Sequence, residues 1–256
     1  MIEIELNSIY NEDCLEGMKR IPDGSVDMIL CDLPYGTTHL DWDSVIPFEP
    51  LWEQYGRVIK DNGAIVLTAS QPFTSALVMS NPKMFKYEWI WEKSHGGFAT
   101  AKKNPLKRHE SVLVFSKKTH KYNPQMVDVE GKVRDHRREK SYQQTIGKMQ
   151  ESATHKGLKR AYSDDYDPKK RYPKSIISFS NRAEKRIHPT QKPVALFEYL
   201  IKTYTNEGDT VLDNCMGSGT TAVACLNTNR NFIGFELDKG YFDIANERID
   251  KHRQSL

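Results

Sequence analysis

The chain alternates between short apolar runs and longer segments whose apolar residues recur every three or four positions. The runs VDMILC (26–31), AIVLTA (64–69), ESVLVFSK (110–117), DTVLD (209–213) and NFIGFELD (231–238) predict strands, several of them buried on both faces. Residues 2–10 and KYEWIWEK (86–93) alternate as half-buried strands do, with Trp89 and Trp91 as packing residues. Helical spacing appears in CLEGMKRI (14–21), in FEPLWEQYGRVIKDNG (48–63, with Gly63 as its stop) and in TSALVMSN (74–81). It returns in VALFEYLIKTY (194–204), behind Pro193, and in GYFDIANERIDKH (240–252). Strands interleaved with helices predict an α/β fold: a mostly parallel, doubly wound sheet covered on both faces. Between about Lys118 and Lys185 the pattern fails, and charged stretches such as KVRDHRREK and DPKKRYPK take over. The expected organisation is a domain split into halves 1–118 and 186–256 by an insertion over 119–185.

A length of 256 residues suits one such domain carrying an insertion. No apolar run reaches membrane-spanning length, and the opening MIEIELNSIYN is unlike a signal peptide. Cys14, Cys31, Cys215 and Cys225 show no Cys-x-x-Cys spacing, which argues against a zinc site or a disulfide framework. The expectation is a cytoplasmic protein with reduced thiols, no metal and no membrane association. The net charge of +3 conceals an asymmetry: about 24 Lys and Arg face about 10 Asp and Glu between residues 101 and 192. The remainder of the chain is therefore acidic, so the middle is expected to face a polyanion; a solvated lysine-rich insertion is the plainer alternative.

Two strand ends carry chemistry. The first predicted buried strand runs into Asp32-Leu33-Pro34-Tyr35-Gly36; a strand exit needs the proline and glycine but not the acid and the ring. In TVLDNCMGSGTTA, Gly217 and Gly219 stand between strand and helix, where a ligand can approach free N–H groups at the helix start. About twenty residues on, Glu236 ends the next strand, where a carboxylate can accept from both ribose hydroxyls. A nicotinamide fingerprint normally opens its domain, whereas this turn comes late, with most strands before it. That order counts against a dehydrogenase.

DLPYG, HPTQKP (188–193), VLDNCMGSGTT and GFELD, in this order, resemble the amino-group DNA methyltransferases of the permuted β class. The similarity covers roughly 1–118 and 186–250. It implies an enzyme using S-adenosylmethionine to methylate N6 of adenine or N4 of cytosine, and a target-recognition region in the middle. By this resemblance Asp213, Gly217, Ser218, Gly219, Thr220 and Thr221 would cradle the methionine part of the cofactor, and Glu236 its ribose. Asp13 would contact the cofactor's adenine with the Cys14 backbone beside it. Thr190 and Lys192 would close over the methionine end, and His188 would be a structural cap. Leu33, where the family more often has proline, can still offer its carbonyl; Asn214-Cys215, in place of a common Pro-Phe, would change the pocket wall.

In this reading the Asp32 carboxylate and the Leu33 carbonyl each take one N–H of the target amine, freeing its lone pair for attack on the sulfonium methyl. Pro34 stiffens the turn and Tyr35 offers a ring to a base swung out of the duplex. No covalent intermediate is needed, and none of the cysteines follows a proline as the nucleophile of the C5-cytosine enzymes does. Arg134, Arg137, Arg138, Lys169, Lys170 and Arg171 are candidates for DNA phosphate contacts. Trp42 and Phe48 could fold over the base, although anchoring the next helix is the favoured reading. Acid-first motifs lean towards adenine in this family, so N6-adenine methylation of DNA is expected. The alternatives are N4-cytosine methylation, an RNA amino-methyltransferase and a silent DNA-binding member. The resemblance leaves room for a homodimer and for a companion restriction endonuclease.

Overall fold

The computed structural model describes residues 4–37, 43–96, 101–129, 167–181 and 191–256. The chain divides into two compact units, Met1–Asn123 with Lys174–Leu256, and Pro124–Pro173.

In the larger unit β1 (Ser8–Tyr10), α1 (Cys14–Met18), β2 (Val26–Cys31), α2 (Phe48–Val58), β3 (Ile59–Ala69), α3 (Phe73–Ser80), β4 (Phe85–Lys93) and β5 (His109–Phe115) come first. After the smaller unit follow β8 (Ile176–Phe179), α4 (Val194–Tyr204), β9 (Thr210–Asp213), α5 (Thr220–Asn227), β10 (Asn231–Phe235) and α6 (Lys239–Arg253). The sheet order is β1-β10-β9-β2-β3-β5-β4-β8. Every pairing is parallel except those of β5, which runs against both β3 and β4.

All six residues of β2 are buried, because both faces of the sheet are covered. Met28 and Leu30 point to one core with Ala64, Val66, Val112 and Val114, under Leu196 and Leu200 of α4 and Ala222 of α5. Ile29 and Cys31 point to the other with Ile65, Leu67 and Leu113, under Met18, Leu51, Tyr55 and Leu77 of α1, α2 and α3. The period of two along β2 and β3 thus assigns alternate side chains to two opposite cores.

Three expectations are corrected. Of residues 2–10, the described part forms a strand only over Ser8–Tyr10, because Asn7 takes a left-handed backbone (φ 62°) and breaks the extension. The second helix ends at Val58 rather than at Gly63, and the chain passes directly into β3 at Ile59. Gly63 lies inside β3, where a Cβ would fall 2.7 Å from the Asp27 carbonyl oxygen. The register of β2 against β3 shifts between Val26 and Met28, so this glycine permits a close backbone approach beside an irregular pairing. The third correction concerns the insertion, whose compact unit is narrower than 119–185. Ile176–Phe179 pairs with Ile90–Lys93 and extends the main sheet, a role its four residues are too few to signal by pattern.

In the smaller unit β6 (Val127–Asp128) pairs antiparallel with β7 (Lys170–Arg171). Lys169, Lys170 and Arg171 are exposed, and the Arg171 guanidinium donates to the carbonyls of Pro168 and Lys170. Arg134, Arg137 and Arg138 lie outside the described residues, as do Trp42, His188 and Thr190.

What the fold does for function is set at its centre. β2, from the N-terminal half, pairs in parallel with β9, from the C-terminal half, through Met28↔Val211 and Ile29↔Leu212. Asp32 leaves β2 and the glycine turn leaves β9 at the same edge of the sheet. This is the carboxyl edge, at the point where strand connections diverge to either side, and open α/β sheets place their ligands there.

Candidate active site

A cavity of about 920 Å³ opens at that edge. Its wall includes Asp32, Leu33, Pro34 and Tyr35 from the end of β2, and Asp13 and Cys14 from the start of α1. Asp213, Gly217, Ser218, Thr220, Thr221, Glu236 and Lys192 complete the set singled out from sequence. Gly219 stands behind this wall as the N-cap of α5, with φ 81°; Gly217 has φ 54°. Both are left-handed conformations that only glycine adopts without strain.

The chain uses several of the turn's N–H groups itself. Cys215 N donates to Asp213 Oδ1 (3.0 Å), Met216 N to the Phe235 carbonyl (2.8 Å), Gly217 N to Glu236 Oε2 (2.7 Å) and Gly219 N to the Met216 carbonyl (3.0 Å). The N–H groups of Ser218, Thr220 and Thr221 have no acceptor among the described residues, and they are the donors left for a ligand. Arg248 of α6 braces the turn, donating to the Ser218 carbonyl (3.0 Å) and to Thr220 Oγ1 (3.2 Å). At the neighbouring strand end Glu236 Oε1 accepts from Asp238 N at 2.9 Å, and burial raises the pKa of this carboxyl. Asp13 caps α1 through Oδ1, accepting from Leu15 N at 2.7 Å. Asn214 and Cys215 do alter the wall. Asn214 accepts from the Tyr55 hydroxyl (2.5 Å) and sits 3.5 Å from both Cys14 Sγ and Cys215 Sγ.

Asp213 holds the turn from within, accepting from the Thr221 hydroxyl with Oδ2 and from Cys215 N with Oδ1. Burial pushes its pKa up to about 6, against the pull of those two donors. Between about pH 4 and pH 6 the folded chain therefore retains a proton here that the unfolded chain has released, and the stability due to this group falls as pH rises. Asp213→Asn removes that titration. The melting temperature of the variant relative to the parent should rise between about pH 4.5 and pH 7; a difference that stays constant would refute the assignment.

At the other end, three donors converge on Asp32. Oδ1 accepts from the Tyr35 hydroxyl (2.8 Å) and from the Thr68 hydroxyl, and Oδ2 accepts from Lys192 Nζ at 2.5 Å. The Lys192 ammonium, expected at the methionine end of a cofactor, thus sits on the Asp32 carboxylate. Burial alone would lower its pKa, but Asp32 and Glu110 outweigh burial and hold it above the ordinary lysine value. The Tyr35 ring stacks on Phe73 with centroids 5.2 Å apart, and burial raises the pKa of its hydroxyl. Phe48 packs on the same Phe73, at 5.9 Å, as a helix anchor would. No described residue donates to the Leu33 carbonyl oxygen.

Sequence reasoning missed Asp43, Thr68, Glu110 and Arg248. Asp43 collects three successive backbone N–H groups of the loop after Pro34: Tyr35 N (2.8 Å) and Gly36 N (2.9 Å) on Oδ1, and Thr37 N (2.9 Å) on Oδ2. No motif marks it, and the neighbouring Asp41 is an equal candidate by sequence, so only the fold identifies Asp43 as the anion that this glycine turn needs.

Among the described residues no cluster of three or more His, Cys, Asp and Glu could hold a metal ion, and no helix is long and apolar enough to cross a membrane. Comparison with known proteins places this geometry. A family model described as DNA methylase, of the N6/N4 type, matches residues 26–247. The type II methyltransferase M.HpaI of Haemophilus parainfluenzae is 29% identical over 93% of this chain and 72% of its own length. The DNA adenine methyltransferase YhdJ of Escherichia coli is 29% identical over 96% of this chain and 83% of its own. The solved complex of M1.HpyAVI with SAM superposes with a TM-score of 0.63, at 27% identity, over 95% of this chain and 98% of that one. The chain belongs to the N6/N4 DNA methylases, the S-adenosylmethionine-dependent enzymes of permuted motif order that methylate amino groups of DNA bases.

Proposed function

We propose that this chain methylates N6 of adenine in DNA, with Asp32 and the Leu33 carbonyl as the acceptors that hold the target amine. The observation that carries the reading is the pairing of an anchored carboxylate with a carbonyl that no described residue engages, at the end of β2 and across one cavity from the glycine turn. The acid-first motif and the adenine-specific relative YhdJ both favour adenine over cytosine.

The wall fits the cofactor. Its volume lies near the upper end of the roughly 300–1,000 Å³ usual for ligand sites, enough for a nucleoside cofactor with a base beside it. Asp13 stands ready for an adenine ring and Glu236 for a ribose. The N–H groups of Ser218, Thr220 and Thr221 suit a carboxylate. S-adenosylmethionine supplies an activated methyl group, so the chain itself has to bind and orient rather than form a bond. An exocyclic amine is a poor nucleophile because its lone pair is delocalised into the base. Two fixed acceptors, one for each N–H, favour a pyramidal nitrogen whose lone pair points at the methyl. Tyr35 and Phe73 hold the wall beside it, and Pro34 prevents the loop from relaxing.

Lys169, Lys170 and Arg171, together with Arg134, Arg137 and Arg138, are proposed to contact phosphates within the region that recognises the target. Asp43 should act through the loop. Asp43→Ala frees three N–H groups at once and should slow single-turnover methylation by about 10–100-fold with cofactor affinity intact. Equal losses of rate and affinity would show instead that Asp43 merely keeps the fold.

The deciding experiment is nucleoside mass spectrometry of unmethylated DNA incubated with the protein and isotope-labelled S-adenosylmethionine. N6-methyladenine carrying the label is expected. Labelled N4-methylcytosine would overturn the choice of base, and unlabelled DNA would overturn the proposed reaction.

A further inference from the structure

Four charged side chains alternate in sign along one wall of the cavity. Lys93 Nζ donates to Glu110 Oε1 at 2.7 Å; Lys192 Nζ lies 3.5 Å from Glu110 Oε2 and 2.5 Å from Asp32 Oδ2. Glu110 enters from the start of β5, the one reversed strand, opposite Trp91 of β4. Its Oε2 is buried and, with Lys192 Nζ too distant for a hydrogen bond, accepts none from the described residues, a condition that a folded protein rarely leaves without a purpose.

The proposed chemistry gives that oxygen a use. Asp32 Oδ1 is already occupied by two hydroxyls, so an entering amine must donate to Oδ2, and Lys192 holds Oδ2. Positive charge then develops on the attacking nitrogen. An ammonium fixed against the accepting oxygen opposes that charge in a site largely shielded from water. Lys192 can leave Asp32 without becoming an unpaired buried cation only if a second carboxylate is within reach, and Glu110 Oε2 is.

We propose that Glu110 is the second counter-ion of Lys192, drawing the ammonium off Asp32 when the target amine binds so that Oδ2 is free to accept. Glu110 is then a positioning residue acting through Lys192, and the inference rests on Asp32 being the amine acceptor.

The test is a double-mutant cycle on the full chain. Single-turnover methylation of unmethylated genomic DNA and calorimetric affinity for S-adenosylmethionine are measured for the parent, Glu110→Gln, Lys192→Met and the double variant, with Asp32→Ala alongside. Glu110→Gln should lower the transfer rate by about tenfold or more with affinity unchanged. In the Lys192→Met background the same substitution should have no further effect. Independent, multiplicative losses would overturn the proposal, as would a Glu110→Gln variant at the parental rate. If Lys192→Met does not bind cofactor, a crystal structure of the parent with target duplex and S-adenosylhomocysteine decides. Lys192 Nζ bonded to Glu110 Oε2 supports the shift, and Nζ still on Asp32 Oδ2 refutes it. A dead Asp32→Ala beside a fully active Glu110→Gln discards only the Glu110 inference; an active Asp32→Ala discards the acceptor reading as well.

Discussion

Asp32→Ala should abolish methyl transfer, by about a thousandfold or more, while changing affinity for S-adenosylmethionine by no more than about twofold. The asymmetry follows from where the carboxylate stands. It lies at the end of β2 and is bonded by Tyr35, Thr68 and Lys192, none of which belongs to the glycine turn. Removing it leaves the Leu33 carbonyl as a lone acceptor, which can hold one N–H but cannot by itself fix the lone pair. The truncation also strands Lys192, although Glu110 remains 3.5 Å away as a partner and should preserve the fold. Asp32→Asn keeps one acceptor and adds a donor aimed at the ammonium or the amine, so it should fall between the alanine variant and the parent. Single-turnover rates and calorimetric affinities measured on the same preparations separate these outcomes. Parallel losses of both would place Asp32 in cofactor binding instead.

The second large effect is expected at Glu236. Its two oxygens accept the backbone N–H groups of Gly217 and Asp238, so this one side chain ties the glycine turn to the end of β10. Glu236→Gln must present its NH₂ group to one of those N–H donors, which breaks that bond and turns the turn's edge away from the cavity. Charged hydrogen bonds of this kind contribute about 1.5–3 kcal/mol each, so cofactor affinity should fall by about 10–100-fold. The transfer rate at saturating S-adenosylmethionine should hold near that of the parent. A variant that binds normally but transfers slowly would mean that Glu236 serves the reaction and not the ligand.

Where the chain satisfies local rules, its structure was legible in its sequence. The runs 26–31 and 64–69 are apolar except for Asp27 and Thr68 because helices cover both faces, and the left-handed backbone at Gly217 and Gly219 explains why glycine stands at both. Most of the residues singled out around the two strand ends line a single cavity because β2 and β9 are neighbours. Long-range bonds were not legible. Thr68 reads as one more strand residue until β3 pairs beside β2 and brings its hydroxyl to Asp32. Glu110 looks like a polar strand start, and its Oε2 is buried once β5 pairs against β4. Gly63 read as a helix stop because its actual constraint, the Asp27 carbonyl, comes from another strand.

The pairing of β2 with β9 also bears on how the protein comes into being. Some 180 residues separate Ile29 from its partner Leu212, so the middle of the sheet is closed by contacts very distant in sequence, which form slowly. On the ribosome, β2 and then β3 are made well before β9, so β2 can pair on one flank while the other stays bare, an open edge of apolar backbone awaiting its mate. Neither the glycine turn nor Glu236 exists for a ligand until residues 210–236 have been made. The nascent chain is thus without a cofactor site until β9 and β10 have been made, and the pairings that close the sheet between β1 and β2 are the same ones that assemble the site.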